Sequence, residues 1–210
     1  MPPGPAIRRR LGPLERPLVR GYRALYVSLP AFAERIAART GDHATVLEIG
    51  CGDGQLTRAL AARFPGAAIT GIDVLDEPGR LYDGPRERVS FQTASAHEFG
   101  PRHARSFDLV LVCDVLHHVP RDAHRGLIVG ARAALAPGGW LVVKDWRPSR
   151  TPIHAMAWAS DRWLSGQRPA FETAQYLREL VERVFGPGSL RAQEHVPPWR
   201  SNVALFVRPR

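Results

Sequence analysis

The stretch from Val46 to Gly54, VLEIGCGDG, constrains this chain more than any other. An apolar run (Val46, Leu47, Ile49) ends in glycines at alternate positions, Gly50, Gly52 and Gly54, and a helix-compatible run from Gln55 to Phe64 begins at once. The pattern reads as a buried strand, a turn that needs glycine, and a helix start. Glycine admits positive φ and lets a ligand approach the backbone with no Cβ in the way. Unpaired amides at the helix start can meet an electronegative ligand group. A tight turn without a ligand would use the same glycines. Glu48 inside the motif and the segments downstream argue against that reading.

Periodicity organises the rest. Apolar residues recur at helical spacing from Leu14 to Arg39 with Pro30 inside, which predicts two helices with Tyr22, Tyr26 and Phe32 on their apolar face. Strands are predicted at Thr45–Ile49, Ala67–Ile72, Val89–Gln92, Phe107–Cys113, Trp140–Lys144, Leu190–Val196 and Asn202–Val207. Between them fall helices at Gln55–Phe64, Arg121–Leu135 and Glu172–Phe185, and a short irregular one over Asp76–Arg88. Strands alternating with helices predict a doubly wound α/β sheet. FDLVLVC, Phe107 to Cys113, is apolar enough for a central parallel strand buried on both faces.

The crevice of such a sheet lies at the carboxyl ends of its strands. Asp73 ends the second strand, 23 residues after Gly50. An acid there can accept hydrogen bonds from both hydroxyls of a ribose, with Val74 against the base; the alternative is a helix cap or a solvated turn acid. Asp114, His117 and His118 follow the fourth strand, and Asp145 and Trp146 follow the fifth. A histidine in the crevice can act as a general base or can be a packed, hydrogen-bonded residue; His117 is the candidate for the substrate side. Asp145 reads as orienting a substrate hydroxyl or amine, or as pairing with Lys144 or an arginine.

Together VLEIGCGDG, GID (Gly71 to Asp73), FDLVLVCDVLHH and LAPGG (Leu135 to Gly139) resemble the class I S-adenosylmethionine (SAM) dependent methyltransferases over about residues 44 to 145. The resemblance implies a seven-stranded, mostly parallel Rossmann-like sheet with strand 7 antiparallel, and SAM as cosubstrate. It assigns cofactor contacts to Glu48, Gly50, Cys51, Gly52, Gly54, Asp73, Val74 and Asp114. Relatives commonly follow strand 3 with Gly-Asp-Ala, whose acid holds the adenine amino group. Here the run is Thr93-Ala94-Ser95-Ala96, so Ser95 stands in the acid's place and Ala96 keeps the small residue. The implied reaction is methyl transfer to an O, N or C atom, with His117 and Asp145 as candidate catalytic residues. An N-terminal helix covers the substrate pocket in many relatives. The segment 14–42 is therefore expected as a lid between a disordered tail (1–13) and the SAM-binding domain (43–210).

Composition narrows the acceptor. The net charge of +9 invites a nucleic-acid reading. Lys144 is the only lysine, however, and the arginines are scattered, with one cluster at Arg8 to Arg10. No N-P-P-Y or D-P-P-Y follows strand 4, unlike the enzymes that methylate DNA bases and some protein amides. A small-molecule or lipid-like acceptor is expected; the alternatives are an RNA or protein methyltransferase, and a SAM-binding regulatory or scaffold protein that transfers nothing. Two cysteines and no C-x-x-C or H-E-x-x-H predict neither a disulfide framework nor a metal site. No apolar run approaches the ~20 residues of a membrane helix and no secretory signal is evident, so a cytoplasmic location is expected. The oligomeric state is not legible.

Overall fold

The computed structural model describes residues 12–149, 151–152, 156, 158 and 169–209. Expectations that fall on residues 1–11, including Arg8 to Arg10, lie outside the described residues.

Seven strands form one sheet: β1 (Thr45–Ile49), β2 (Ala68–Asp73), β3 (Val89–Thr93), β4 (Phe107–Cys113), β5 (Leu135–Trp146), β6 (Leu190–His195) and β7 (Asn202–Val207). Their order is β3-β2-β1-β4-β5-β7-β6. β1 through β5 pair in parallel, and β7 runs antiparallel to both β5 and β6. The predicted α/β architecture with strand 7 reversed is therefore the observed one. The chain runs outward from β1 to β3, then returns to lay β4 on the other side of β1. That reversal opens a crevice where the carboxyl ends of β1 and β4 diverge.

Among the described residues six α-helices flank the sheet: α1 (Glu15–Ala24), α2 (Leu29–Thr40), α3 (Gln55–Arg63), α4 (Ala96–Arg102), α5 (His124–Ala134) and α6 (Ala174–Phe185). Alternate residues of each central strand serve opposite faces. Leu47, Val110, Val112, Leu141, Val143 and Leu205 pack with Phe99, Ile128 and Leu177 of α4, α5 and α6. Val46, Leu109, Leu111, Val142, Ala204 and Phe206 pack with Phe32, Ile36 and Leu60 of α2 and α3. Burial on both faces explains why these strands read as continuous apolar runs.

Three local predictions differ from the structure. Asp76–Arg88 is a series of turns with no helix, as its Pro78, Gly79, Gly84 and Pro85 permit. α4 was not foreseen; Ser95 caps it, and its seven residues with Pro101 inside are too few for a clear period. β5 begins at Leu135, directly after α5, rather than at Trp140. Leu135 pairs with Phe107, the register then shifts, and Trp140 pairs with Leu109. Pro137, Gly138 and Gly139 fall in that irregularity, where Gly138 has φ +73°.

α4 and α5 meet through glycine. A Cβ on Gly130 would stand 2.2 Å from the Ala96 carbonyl oxygen, and one on Gly100 would stand 2.1 Å from the Gly130 carbonyl oxygen. Backbone cannot retreat as a flexible side chain can. Gly130→Ala is expected to destabilise the fold by about 1–3 kcal/mol and to lower the thermal midpoint in a melting experiment. An unchanged midpoint would refute this packing.

Candidate active site

The glycine loop leaves β1 with all three glycines in the left-handed region: Gly50 at φ +74°, Gly52 at +53° and Gly54, the cap of α3, at +85°. A Cβ on Gly50 would stand 2.2 Å from Cγ2 of Val115, so the loops after β1 and β4 touch. Around Gly52 the space is open; there the backbone conformation, not crowding, requires glycine. The Asp73 carboxylate accepts from the Gly52 amide at 2.8 Å and the Leu75 amide at 3.0 Å. Each oxygen keeps further accepting capacity. Beside it Val74 is 71% exposed, an apolar side chain at the rim of the crevice.

Glu48, on β1 just before the loop, is buried against α3. Its buried carboxyl receives a 2.5 Å hydrogen bond from the Thr57 hydroxyl of α3. Burial pushes its pKa up to about 8, against the smaller opposing effects of the Thr57 bond and Arg23. Cys51 and Cys113 are buried, and burial raises both thiols above their usual range, so neither is a ready nucleophile. Ser95 is occupied locally. Its hydroxyl accepts from the Glu98 amide at 3.3 Å and donates to the Glu98 carboxylate at 2.8 Å, a capping box at the start of α4. Ala96 is the first residue of that helix and is buried.

Two paired acids and bases close the other side. His117 Nδ1 and Asp145 Oδ1 are 2.5 Å apart, and both residues are almost fully buried. The other Asp145 oxygen accepts from the His117 amide at 3.2 Å, and Oδ1 also accepts from the Trp146 amide at 2.7 Å. Burial alone would raise the Asp145 carboxyl; the His117 proton, the Trp146 amide and Lys144 outweigh it and bring the carboxyl below its usual range. The partner of Asp145 is thus His117, not Lys144 or an arginine. Lys144, itself buried, reaches both Asp114 oxygens at 2.6 and 2.7 Å. Asp114 has φ +57° and bonds its amide to the Lys144 carbonyl, which locks the β4 exit onto β5. His118 packs 4.0 Å from the His117 ring between centroids. Loss of solvation pulls the pKa of the His118 ring down to about 4, and a proton on His117 would push the same way, although the residue is exposed.

Donor atoms of Asp114, His117 and Asp145 lie within 4.8 Å of one another. The ammonium of Lys144 already supplies a cation to that group, and backbone amides take up the Asp145 oxygens. Lys144 was missed as a site residue in the sequence. Its signal was a charged residue inside the apolar run LVVKDW.

Aromatic rings line the approach. Tyr22 and Tyr26 meet edge-on at 5.0 Å with their hydroxyls 2.9 Å apart, Tyr26 contacts Trp146 at 5.9 Å, and Phe171 lies 5.3 Å from His117. Phe32 instead packs in the core. Met156 and Trp158 are exposed. α1 reaches the loop segments through charge. Arg23 pairs with Asp53 of the glycine loop at 3.6 Å, Glu15 with Arg80, and Arg20 with Asp83. Among the described residues no helix is long and apolar enough to cross a membrane.

A family model described as "Methyltransferase domain" matches residues 21–184. The chain belongs to this family, the class I SAM-dependent methyltransferases. Over 104 residues, 48% of its length, it is 34% identical to the ubiquinone biosynthesis O-methyltransferase of Hydrogenovibrio crunogenus, covering 42% of that protein. Over 139 residues, 66% of its length, it is 34% identical to the trans-aconitate 2-methyltransferase of Mycobacterium tuberculosis, covering 48% of it. The matches thus span less than half of either relative. The 1,6-didemethyltoxoflavin-N1-methyltransferase of Burkholderia thailandensis, solved with 1,6-didemethyltoxoflavin and S-adenosylhomocysteine, has the same fold. It superposes with a TM-score of 0.68 at 21% identity, over 90% of this chain and 83% of that one.

Glu48 makes the pH dependence of methyltransferase stability predictable. Its pKa rises from an ordinary 4.5 to about 8 on folding. Its contribution is therefore complete below pH 4.5 and declines as pH rises through 8, because the unfolded chain releases a proton that the folded chain retains. Between pH 5 and 8 the wild type should lose up to roughly 1.4 kcal/mol per pH unit relative to Glu48→Gln. Denaturant titrations of both proteins across that range test it; parallel stability curves would refute it.

Proposed function

We propose that this domain transfers the methyl group of SAM to a hydroxyl oxygen of a small, largely apolar acceptor, with His117 as general base. The observation that carries this reading is the buried His117–Asp145 pair at the ends of β4 and β5, beside the glycine-loop and Asp73 cradle.

The cradle fits the donor. Three glycines in left-handed conformations keep Cβ atoms off the surface that the methionine part would meet. Asp73 can accept from both ribose hydroxyls while holding the Gly52 amide. Val74 offers an apolar face to adenine. Bound SAM supplies a methyl already activated by its sulfonium, so the protein's task is alignment and, for a hydroxyl acceptor, proton removal. Glu48 and Cys51 support the loop in this reading. Ser95 serves α4 before it serves adenine. Lys144 compensates the charge of Asp114, whose first task is to hold β4 against β5.

On the acceptor side, the Asp145 carboxylate accepts a hydrogen bond from His117 Nδ1–H. That leaves the lone pair of the neutral ring on Nε2 and stabilises the imidazolium formed when the acceptor hydroxyl gives up its proton. His118, with its pKa near 4, stays neutral and does not compete for that proton. The aromatic wall of Tyr26, Trp146 and Phe171 suits an apolar acceptor. Of the segment 14–42, α1 acts as the lid over the crevice, held there by its ion pairs, whereas α2 packs on the sheet face.

Two variants separate the halves of the site. Asp73→Ala is expected to weaken calorimetric binding of S-adenosylhomocysteine by about tenfold or more. His117→Gln should leave that affinity intact but slow transfer from labelled SAM to the low-molecular-mass fraction of a cell extract by roughly 10²–10⁴-fold. Wild-type binding in the first variant would displace the donor site. Wild-type transfer in the second would remove His117 as base, and label found only in RNA or protein would overturn the acceptor class.

A further inference from the structure

The His117 turn is held by a second histidine that no sequence motif marks. His124 opens α5, is 1% exposed, and lies outside the donor cradle and the His117–Asp145 pair. Its Nε2 lies 2.9 Å from the Leu116 carbonyl oxygen and 2.9 Å from the Val119 carbonyl oxygen. Carbonyls only accept, so Nε2 carries a proton that both share. These two carbonyls bracket His117 and His118: one imidazole N–H ties both ends of the turn that presents the base.

The opposite nitrogen is fixed as well. His124 Nδ1 lies 3.0 Å from the Tyr176 hydroxyl of α6. A hydroxyl can donate to the neutral ring or accept from the charged one, so this contact holds the ring in either state. Tyr176 is itself braced. Its amide bonds the Thr173 cap at 3.1 Å, and Arg121 lies 4.2 Å over its ring while pairing with Glu172 at 3.2 Å. The segment leading into α6 also reaches His117 directly. The Ala170 amide donates to the His117 carbonyl at 2.9 Å, and Phe171 packs on its ring.

We propose that His124 is a positioning residue, buttressed by Tyr176, that sets the orientation of His117 against Asp145. This rests on the reading of His117 as base. Without the His124 proton, the buried Leu116 carbonyl and the part-buried Val119 carbonyl lose a donor and the 116–119 turn can shift. A displacement of about 1 Å at a base can cost up to about 10²-fold in rate. The donor cradle, on β1 and β2, stays in place.

The test compares His124→Ala, His124→Gln and Tyr176→Phe by three readouts: calorimetric binding of S-adenosylhomocysteine, the ¹H–¹⁵N resonance of the His117 Nδ1–H held by Asp145, and transfer of labelled methyl to the low-molecular-mass fraction of a cell extract. In His124→Ala the resonance should broaden or vanish and transfer should fall by about tenfold or more, with binding within about twofold of wild type. The Gln side-chain amide can donate where Nε2 did, so His124→Gln should recover the resonance and most of the rate. Tyr176→Phe removes one oxygen, is the variant to rely on if His124→Ala fails to fold, and should broaden the resonance. A wild-type resonance in folded His124→Ala or Tyr176→Phe, or no recovery in His124→Gln, overturns the proposal. The resonance reports positioning without turnover. Its loss beside wild-type transfer in His117→Gln would show that His124 positions His117 but that His117 is not the base.

Discussion

The crevice depends on β1 and β4 lying side by side, buried on both faces, at the point where the strand order reverses. Parallel strands carry their connections on the faces of the sheet, so the carboxyl ends at the reversal are left for loops alone. The loop after β1 is the glycine loop, and the turn after β4 carries Asp114 and His117. The two approach closely where Gly50 passes Val115, just before the turn that carries His117.

The charges at the β4 and β5 ends are arranged as pairs rather than as an open cluster. Lys144 with Asp114 and His117 with Asp145 place two acids and two bases in a largely dry region, each acid facing its own partner. A buried acid with no ion-pair partner against it is pushed toward its protonated form instead, as Glu48 is by burial. The same low polarity therefore yields opposite outcomes at neighbouring positions. Asp145 remains a carboxylate because a histidine proton and an amide face it, whereas Glu48, with one hydroxyl as its main donor, is held neutral well above the usual range.

α1 shows how charge can reverse the usual helix orientation. Its acid and arginines meet Arg80, Asp83 and Asp53, while Leu18 remains on the solvent side. Apolar periodicity predicted the helix correctly, but it implied that the apolar stripe packs inward. For Phe32 and Ile36 of α2 it does. For α1 the polar surface of the glycine loop and of residues 76–88 selects the charged side instead.

By itself the sequence determined the layered α/β fold, the reversed strand 7 implied by its family resemblance, and the position of the glycine loop with Asp73. These rest on short-range pattern: apolar runs of strand length, glycines at alternate positions, an acid at a strand end. Only the tertiary structure decided which side chains pair across the crevice. Asp145 is adjacent to Lys144 in sequence, yet strand alternation turns neighbours to opposite sides. Asp145 therefore meets His117 from the β4 turn, and Lys144 meets Asp114. Ser95 became a helix cap because Glu98 lies within reach three residues on, in a helix too short to show a period. His124 was invisible because its partners, the carbonyls of Leu116 and Val119 in one turn and the hydroxyl of Tyr176 in α6, come from two separate parts of the chain, and backbone carbonyls leave no trace in a sequence.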